Sequence, residues 1–183
     1  MQLWKSKKNI LKNLRNSTDG VFFYERTGSV SKKILVCGAG ESLDLTGIEE
    51  LDRSETYIIA VDAALPCLSE RGIYPDAVVA VESQFVIQKA YIGSTCLHFT
   101  LFMDLCSRPE IGDICWNSEK IYFYTDYTDS VFSRKVRDMA GEKSTFIPMG
   151  SVGLYAVEIA LRLRTNETVP VFVTGLDFSF SAG

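Results

Sequence analysis

Short, almost uninterrupted apolar runs return along this chain at intervals that a helix can fill, and that spacing constrains the fold more than any other feature. Ile34 to Cys37, Tyr57 to Val61 (YIIAV) and Ala77 to Val81 (AVVAV) are strand-length runs rich in branched residues. Between them lie helix-prone stretches: Leu43 to Leu51, with Asp44, Glu49 and Glu50 outward, and Ala63 to Arg71, closed by Gly72. Val21 to Arg26, Leu97 to Phe102, Lys120 to Tyr124, Thr145 to Ile147 and Val171 to Thr174 extend the strand series. Asp129 to Ala140 and Val152 to Leu163 extend the helices, and residues 3–16 read as a basic amphipathic helix with Leu3, Trp4, Ile10, Leu11 and Leu14 on one face. Near-continuous apolar strands alternating with helices indicate a parallel sheet covered on both faces. The expected fold is therefore α/β, a Rossmann-like three-layer sandwich with a mainly parallel sheet. Residues 1–28 read as an N-terminal helix and connecting segment, and 29–183 as a nucleotide-binding domain cut short at its C-terminus.

Right-handed crossovers place the segments after each strand on one edge, where such sheets bind ligands. The residues to weigh are Gly38 to Leu43, Asp62, Glu82, Ser83, Gln84, Gly150, Ser151, Val152 and Asp177. Gly38-Ala39-Gly40-Glu41-Ser42 follows a strand, and unpaired amides at a helix start attract anions. Ser42 either caps that helix or binds a phosphate oxygen. A Walker loop is excluded, because GxxxxGK[ST] does not occur. A dinucleotide fingerprint nearly fits, with Asp62 ending the next strand about 20 residues on, but Leu43 stands in place of the third glycine. A nucleotide diphosphate or a nucleotide monophosphate sugar remains open. Pro148-Met149-Gly150-Ser151-Val152-Gly153 repeats the logic ahead of a second helix, so two helix starts are expected to share one anion pocket.

Composition narrows the ligand. A net charge of −4 argues against a general nucleic-acid binder, which needs a basic face. No apolar run reaches the roughly 18 residues of a membrane span, and the basic start lacks the apolar core of a signal peptide. Five cysteines, odd in number and without a CxxC pair, favour buried thiols in a reducing, cytoplasmic setting. A single histidine, His98, leaves neither a zinc cluster nor a Ser-His-Asp triad with support from spacing, and it reads as an ordinary core or edge residue.

GAGESLD, IIAVDAALPCLSERGIYPDAVVAVESQ, PMGSVGLYAVEIALRL and VFVTGLDFSF occur in this order. Together they resemble the motility accessory factor and 6-hydroxymethylpterin diphosphokinase-like family over roughly residues 34–181. The resemblance implies a sialyltransferase-like nucleotide-binding transferase. Carried over are Gly38, Gly40, Ser42 and Leu43 in the first loop, Asp62 in the DAAL segment, Asp76 in the PD pair, Gly150 and Ser151, and Asp177 in GLD. Ala39 and Val152 flank those positions as further nucleotide-binding candidates. Two departures matter. Glu41 stands where the family has proline, and a carboxylate beside a phosphate is unfavourable. The chain also stops at Gly183, where family members continue.

The first expectation is transfer of a nonulosonic, sialic-acid-like sugar from a CMP donor to a serine or threonine of a protein such as flagellin, with no cofactor and no named base. Glu82, Ser83 and Gln84 are candidates for acceptor or metal contact. The alternative is pyrophosphoryl transfer from ATP to a pterin, with Mg²⁺ on Asp62, Glu82 and Asp177. A non-catalytic nucleotide-binding module is the third. Each acidic residue also has a turn or cap reading. Tyr122, Tyr124 and Tyr127 serve either packing or base stacking, and Arg134, Lys135 and Arg137 read as a solvated helix face.

Overall fold

The apolar runs become strands because their branched side chains have a covering layer on each side of the sheet. A computed structural model describes residues 2–17, 21–44, 47–93 and 97–177, and for residues 2–6 the backbone only. β1 (Val21–Phe22), β2 (Lys33–Cys37), β3 (Thr56–Val61) and β4 (Ala77–Ala80) are followed by β5 (Thr100–Asp104), β6 (Glu119–Thr125), β7 (Thr145–Phe146) and β8 (Val171–Thr174). They form one sheet in the order β1-β6-β5-β4-β3-β2-β8, with β7 also on β6, and every pairing is parallel. All strand carboxyl ends therefore share one rim.

The helices are α1 (Gln2–Asn16), α2 (Leu65–Glu70), α3 (Glu110–Ile114), α4 (Val131–Ala140) and α5 (Val152–Leu163). Alternate residues of β6 face opposite cores. Ile121 and Phe123 join Phe23, Phe102, Phe146 and the α5 residues Tyr155, Ala156, Ile159 and Ala160. Tyr122 and Tyr124 join Ile10 of α1, Ile111 of α3 and Val136 of α4. That period of two produces the three layers.

Differences from the sequence reading have local causes. Leu43 to Leu51 is not one helix. Single 3₁₀ turns occupy Glu41–Leu43 and Ile48–Glu50, and Gly47 between them takes a left-handed φ of 60°, which an α-helix cannot continue through. Val21 to Arg26 is strand for two residues and then a 3₁₀ turn that buries Phe23. β5 starts at Thr100, paired with Ala77, rather than at Leu97. α4 starts at Val131, because Ser130 caps it by accepting the Ser133 N–H at 3.0 Å. α3 was not foreseen. Val152–Leu163 and Val171–Thr174 form as expected.

The N-terminal helix lies across the carboxyl rim. Ile10 is buried, Asn9 Nδ2 donates to the Cys106 carbonyl at 3.2 Å, and Asn13 Nδ2 donates to the carbonyls of Leu105 and Ser107 at 2.9 and 3.0 Å. The side chains of Leu3 and Trp4, and the chain from Phe178 onward, lie outside the described residues, as does Cys96. The other four cysteines are unbridged, and burial pushes the Cys37 and Cys115 thiols up to about 12. Among the described residues no helix is long and apolar enough to cross a membrane.

Candidate functional site

A cavity of about 750 Å³ opens on the carboxyl rim. The turns after β3 and β4 form one wall, with Asp62, Ala63, Val81, Glu82 and Ser83. The opposite wall is the start of α5, with Gly150, Ser151 and Val152. Tyr124, Tyr127 and Tyr155 line it as well, and α1 closes it with Lys7 and Ile10.

Asp62 is 2% exposed. β3 ends at Val61, and the chain turns at once, so the Asp62 side chain is drawn under the rim. Its Oδ1 accepts the Ala63 N–H at 2.8 Å, while Oδ2 is buried and has no hydrogen-bond partner among the described residues. Burial pushes its pKa up to about 7; the Ala63 N–H opposes this, and the nearby Glu82 charge adds to it. Glu82 lies in the turn after β4, with Val81 between it and the strand's last residue, Ala80. Its Oε1 accepts the N–H groups of Ser83 and Gln84 at 2.8 and 3.0 Å, which fixes the turn. Ser83 faces the cavity; Gln84 is exposed and does not.

At the opposite wall Ser151 caps α5, its Oγ accepting the Leu154 N–H at 3.4 Å. The Tyr155 hydroxyl accepts the Met149 N–H at 3.1 Å and so holds the preceding segment. Tyr127 OH lies 3.5 Å from Tyr155 OH. Burial raises the Tyr124 phenol to about 12 and that of Tyr127 further. Tyr122, by contrast, is packed in the core.

The glycine-rich turn after β2 lies apart from this cavity. A Cβ on Gly38 would fall 2.1 Å from the Gly175 carbonyl oxygen, so the glycine gives room to the chain's own last strand loop. The space beside Gly40 holds the Asp177 carboxylate. Asp177 Oδ2 accepts the Ser42 N–H at 2.7 Å, and its Oδ1 accepts the Ser42 hydroxyl. Ser42 Oγ in turn accepts the Gly175 N–H at 2.8 Å. These bonds hold the Asp177 carboxyl below its ordinary range. The position expected to take a phosphate is thus filled by an internal carboxylate. Leu43 is buried, and Glu41 is exposed.

Of the residues singled out from sequence, Asp62, Glu82, Ser83, Gly150, Ser151 and Val152 come together on the cavity; Gly38 to Leu43 and Asp177 form a separate latch. Asp76 is also elsewhere, accepting from the Ile58 N–H at 2.7 Å and pairing with Arg53 at 3.0 Å. Among the described residues no group of three or more His, Cys, Asp or Glu is placed to hold a metal. His98 is exposed, its Nδ1 2.7 Å from the Asn117 carbonyl. Arg134 and Arg137 pair with Asp129 and Asp126 at 3.8 and 3.1 Å.

Sequence reasoning missed Asp104. This fully buried residue ends β5, accepts the Cys106 N–H at 2.7 Å and the Thr125 hydroxyl, and shapes the turn on which α1 docks. Burial lifts its pKa to about 6. Its signal was its place directly after an apolar run, hidden because that run was read as ending at Phe102. Lys7 and Phe132 carried no signal, because nothing in the sequence brings α1 to the rim.

The profile of the 6-hydroxymethylpterin diphosphokinase MptE-like family matches residues 8–183. The chain belongs to that family. An uncharacterized protein of Treponema pallidum (strain Nichols) is 38% identical to this MptE-like chain over 156 residues, 85% of the chain and 27% of that protein. The MAf glycosyltransferase from Magnetospirillum magneticum AMB-1 superposes with a TM-score of 0.66 at 18% identity, over 85% of this chain and 24% of that one. The chain therefore spans about a quarter of each relative. The structural likeness establishes the shared α/β fold.

Proposed function

We propose that this MptE-like chain is the nucleotide-binding part of a transferase that takes a CMP-activated nonulosonic acid and passes the sugar to a serine or threonine of a protein, flagellin or another. The observation that carries this reading is the buried Oδ2 of Asp62, which has no partner among the described residues and is set in the wall of a rim cavity whose opposite wall is the start of α5. A buried acceptor without a donor costs about 1–3 kcal/mol, and a ligand hydroxyl removes that cost. Across the cavity, the amides of the first α5 turn and the helix dipole suit a phosphate. The likeness to a glycosyltransferase of the same fold adds support.

In this reading the acceptor oxygen forms a bond to the anomeric carbon, the bond from that carbon to the phosphate oxygen breaks, and CMP leaves as an anion. The α5 start stabilises the charge that develops on the leaving phosphate, and Asp62 orients the donor through a hydroxyl. The acceptor's proton passes to a base that we do not assign. Such a donor places the reaction in the cytoplasm.

One observation favours pyrophosphoryl transfer from ATP as a second reading: Asp62 and Glu82 lie in the turns that follow two adjacent parallel strands and face one cavity. One or two carboxylates with substrate phosphates are the usual surroundings of Mg²⁺, which when bound would neutralise the transferred phosphates. Asp62 and Glu82 would hold it; Asp177 is engaged by Ser42. Titration separates the two. Metal-independent CMP binding supports sugar transfer, whereas ATP binding that appears only with Mg²⁺ supports the second reading and contradicts the first.

A further inference from the structure

Resting on the CMP-sugar reading, we propose that Lys7 is a specificity residue that binds the carboxylate of the donor sugar, which makes the N-terminal helix part of the binding site. The cavity is electrically two-sided. Asp62 and Glu82 stand on one wall, and among the described residues Lys7 is the only lysine or arginine that lines it. Lys7 makes no ion pair among the described residues, whereas Lys12 on the same helix pairs with Glu110 at 3.3 Å. The Lys7 ammonium lies 5.5 Å from the centroid of the Phe132 ring, itself part of the cavity wall. That ring holds the cation at the mouth without neutralising it. The helix is not free to carry Lys7 elsewhere, because Ile10 is buried and Asn9 and Asn13 bind the carbonyls of the 105–107 turn.

Ligand chemistry supplies the rest. A nonulosonic donor carries two anionic groups, the phosphate ester and a carboxylate on the anomeric carbon. The α5 start suits the first. The second is repelled by Glu82, and by Asp62 once that carboxyl is ionised, and is attracted to the cation across the cavity. CMP alone lacks the carboxylate, so Lys7 discriminates the sugar nucleotide from its product.

The test is calorimetric titration of the wild type, Lys7→Ala and Lys7→Arg with CMP-N-acetylneuraminate and, separately, with CMP. Lys7→Ala is expected to weaken CMP-N-acetylneuraminate by about tenfold, the size of one lost charge-assisted hydrogen bond at a partly wet site. It is expected to leave CMP unchanged, and Lys7→Arg is expected to retain most of the affinity. Equal weakening of both ligands, or of neither, overturns the role of Lys7 while the nucleotide site stands. Failure of the wild type to bind either ligand overturns the site reading itself, and the role of Lys7 with it.

Discussion

Asp62 concentrates the physical tension of the molecule in one side chain. Its carboxyl is ordinarily ionised above about pH 4, but burial has moved its pKa to about 7. Between these values the folded state holds a proton that the unfolded chain has released, so this group's contribution to stability falls as pH rises from about 4 to about 7. Asp62→Asn removes the titration. Urea denaturation should therefore find the variant more stable relative to wild type at pH 8 than at pH 5; a difference that does not change with pH would contradict the raised pKa. Burial shifts Asp104 in the same direction, to about 6, but both of its oxygens are used. Asp104→Ala leaves the Thr125 hydroxyl and the Cys106 amide without their partner and is expected to cost about 3 kcal/mol by the same method.

Two elements carry the site. α5 depends on its Ser151 cap and on Gly153, where a Cβ would fall 2.5 Å from the Leu176 side chain. Ser151→Ala should lower stability by about 1 kcal/mol, a common cost of a lost N-cap, and should weaken nucleotide binding by loosening the first turn. α1 is the second element. Asn13 is fully buried and spends both of its amide hydrogens on the 105–107 turn. Asn13→Ala should speed amide hydrogen exchange in α1 by more than tenfold while β2 to β5 keep their protection. Uniform loss of protection through the sheet would instead make α1 inseparable from the core.

For the whole molecule, the parallel sheet was legible because its strands are buried on both faces, which writes continuous apolar runs into the sequence. The rim was legible too, since the end of each run marks a carboxyl end, and Asp62, Glu82 and Ser151 were found by that rule. The content of the glycine-rich turn was not. Gly38 and Gly40 read the same whether they make room for a phosphate or for Gly175 and Asp177, residues more than a hundred positions away in the chain. The cover provided by α1 was equally hidden, because an amphipathic helix declares an apolar face but not what it rests on. Where the nucleotide sits is the central question, and titration of CMP without metal into the wild type, Asp62→Ala and Ser42→Ala proteins tests it most directly. The rim cavity predicts that the wild type binds, that Asp62→Ala weakens binding by about tenfold for a lost hydrogen bond to a buried carboxyl group, and that Ser42→Ala binds as the wild type does. Loss of binding in Ser42→Ala with Asp62→Ala unaffected would move the nucleotide to the glycine-rich turn and contradict the account.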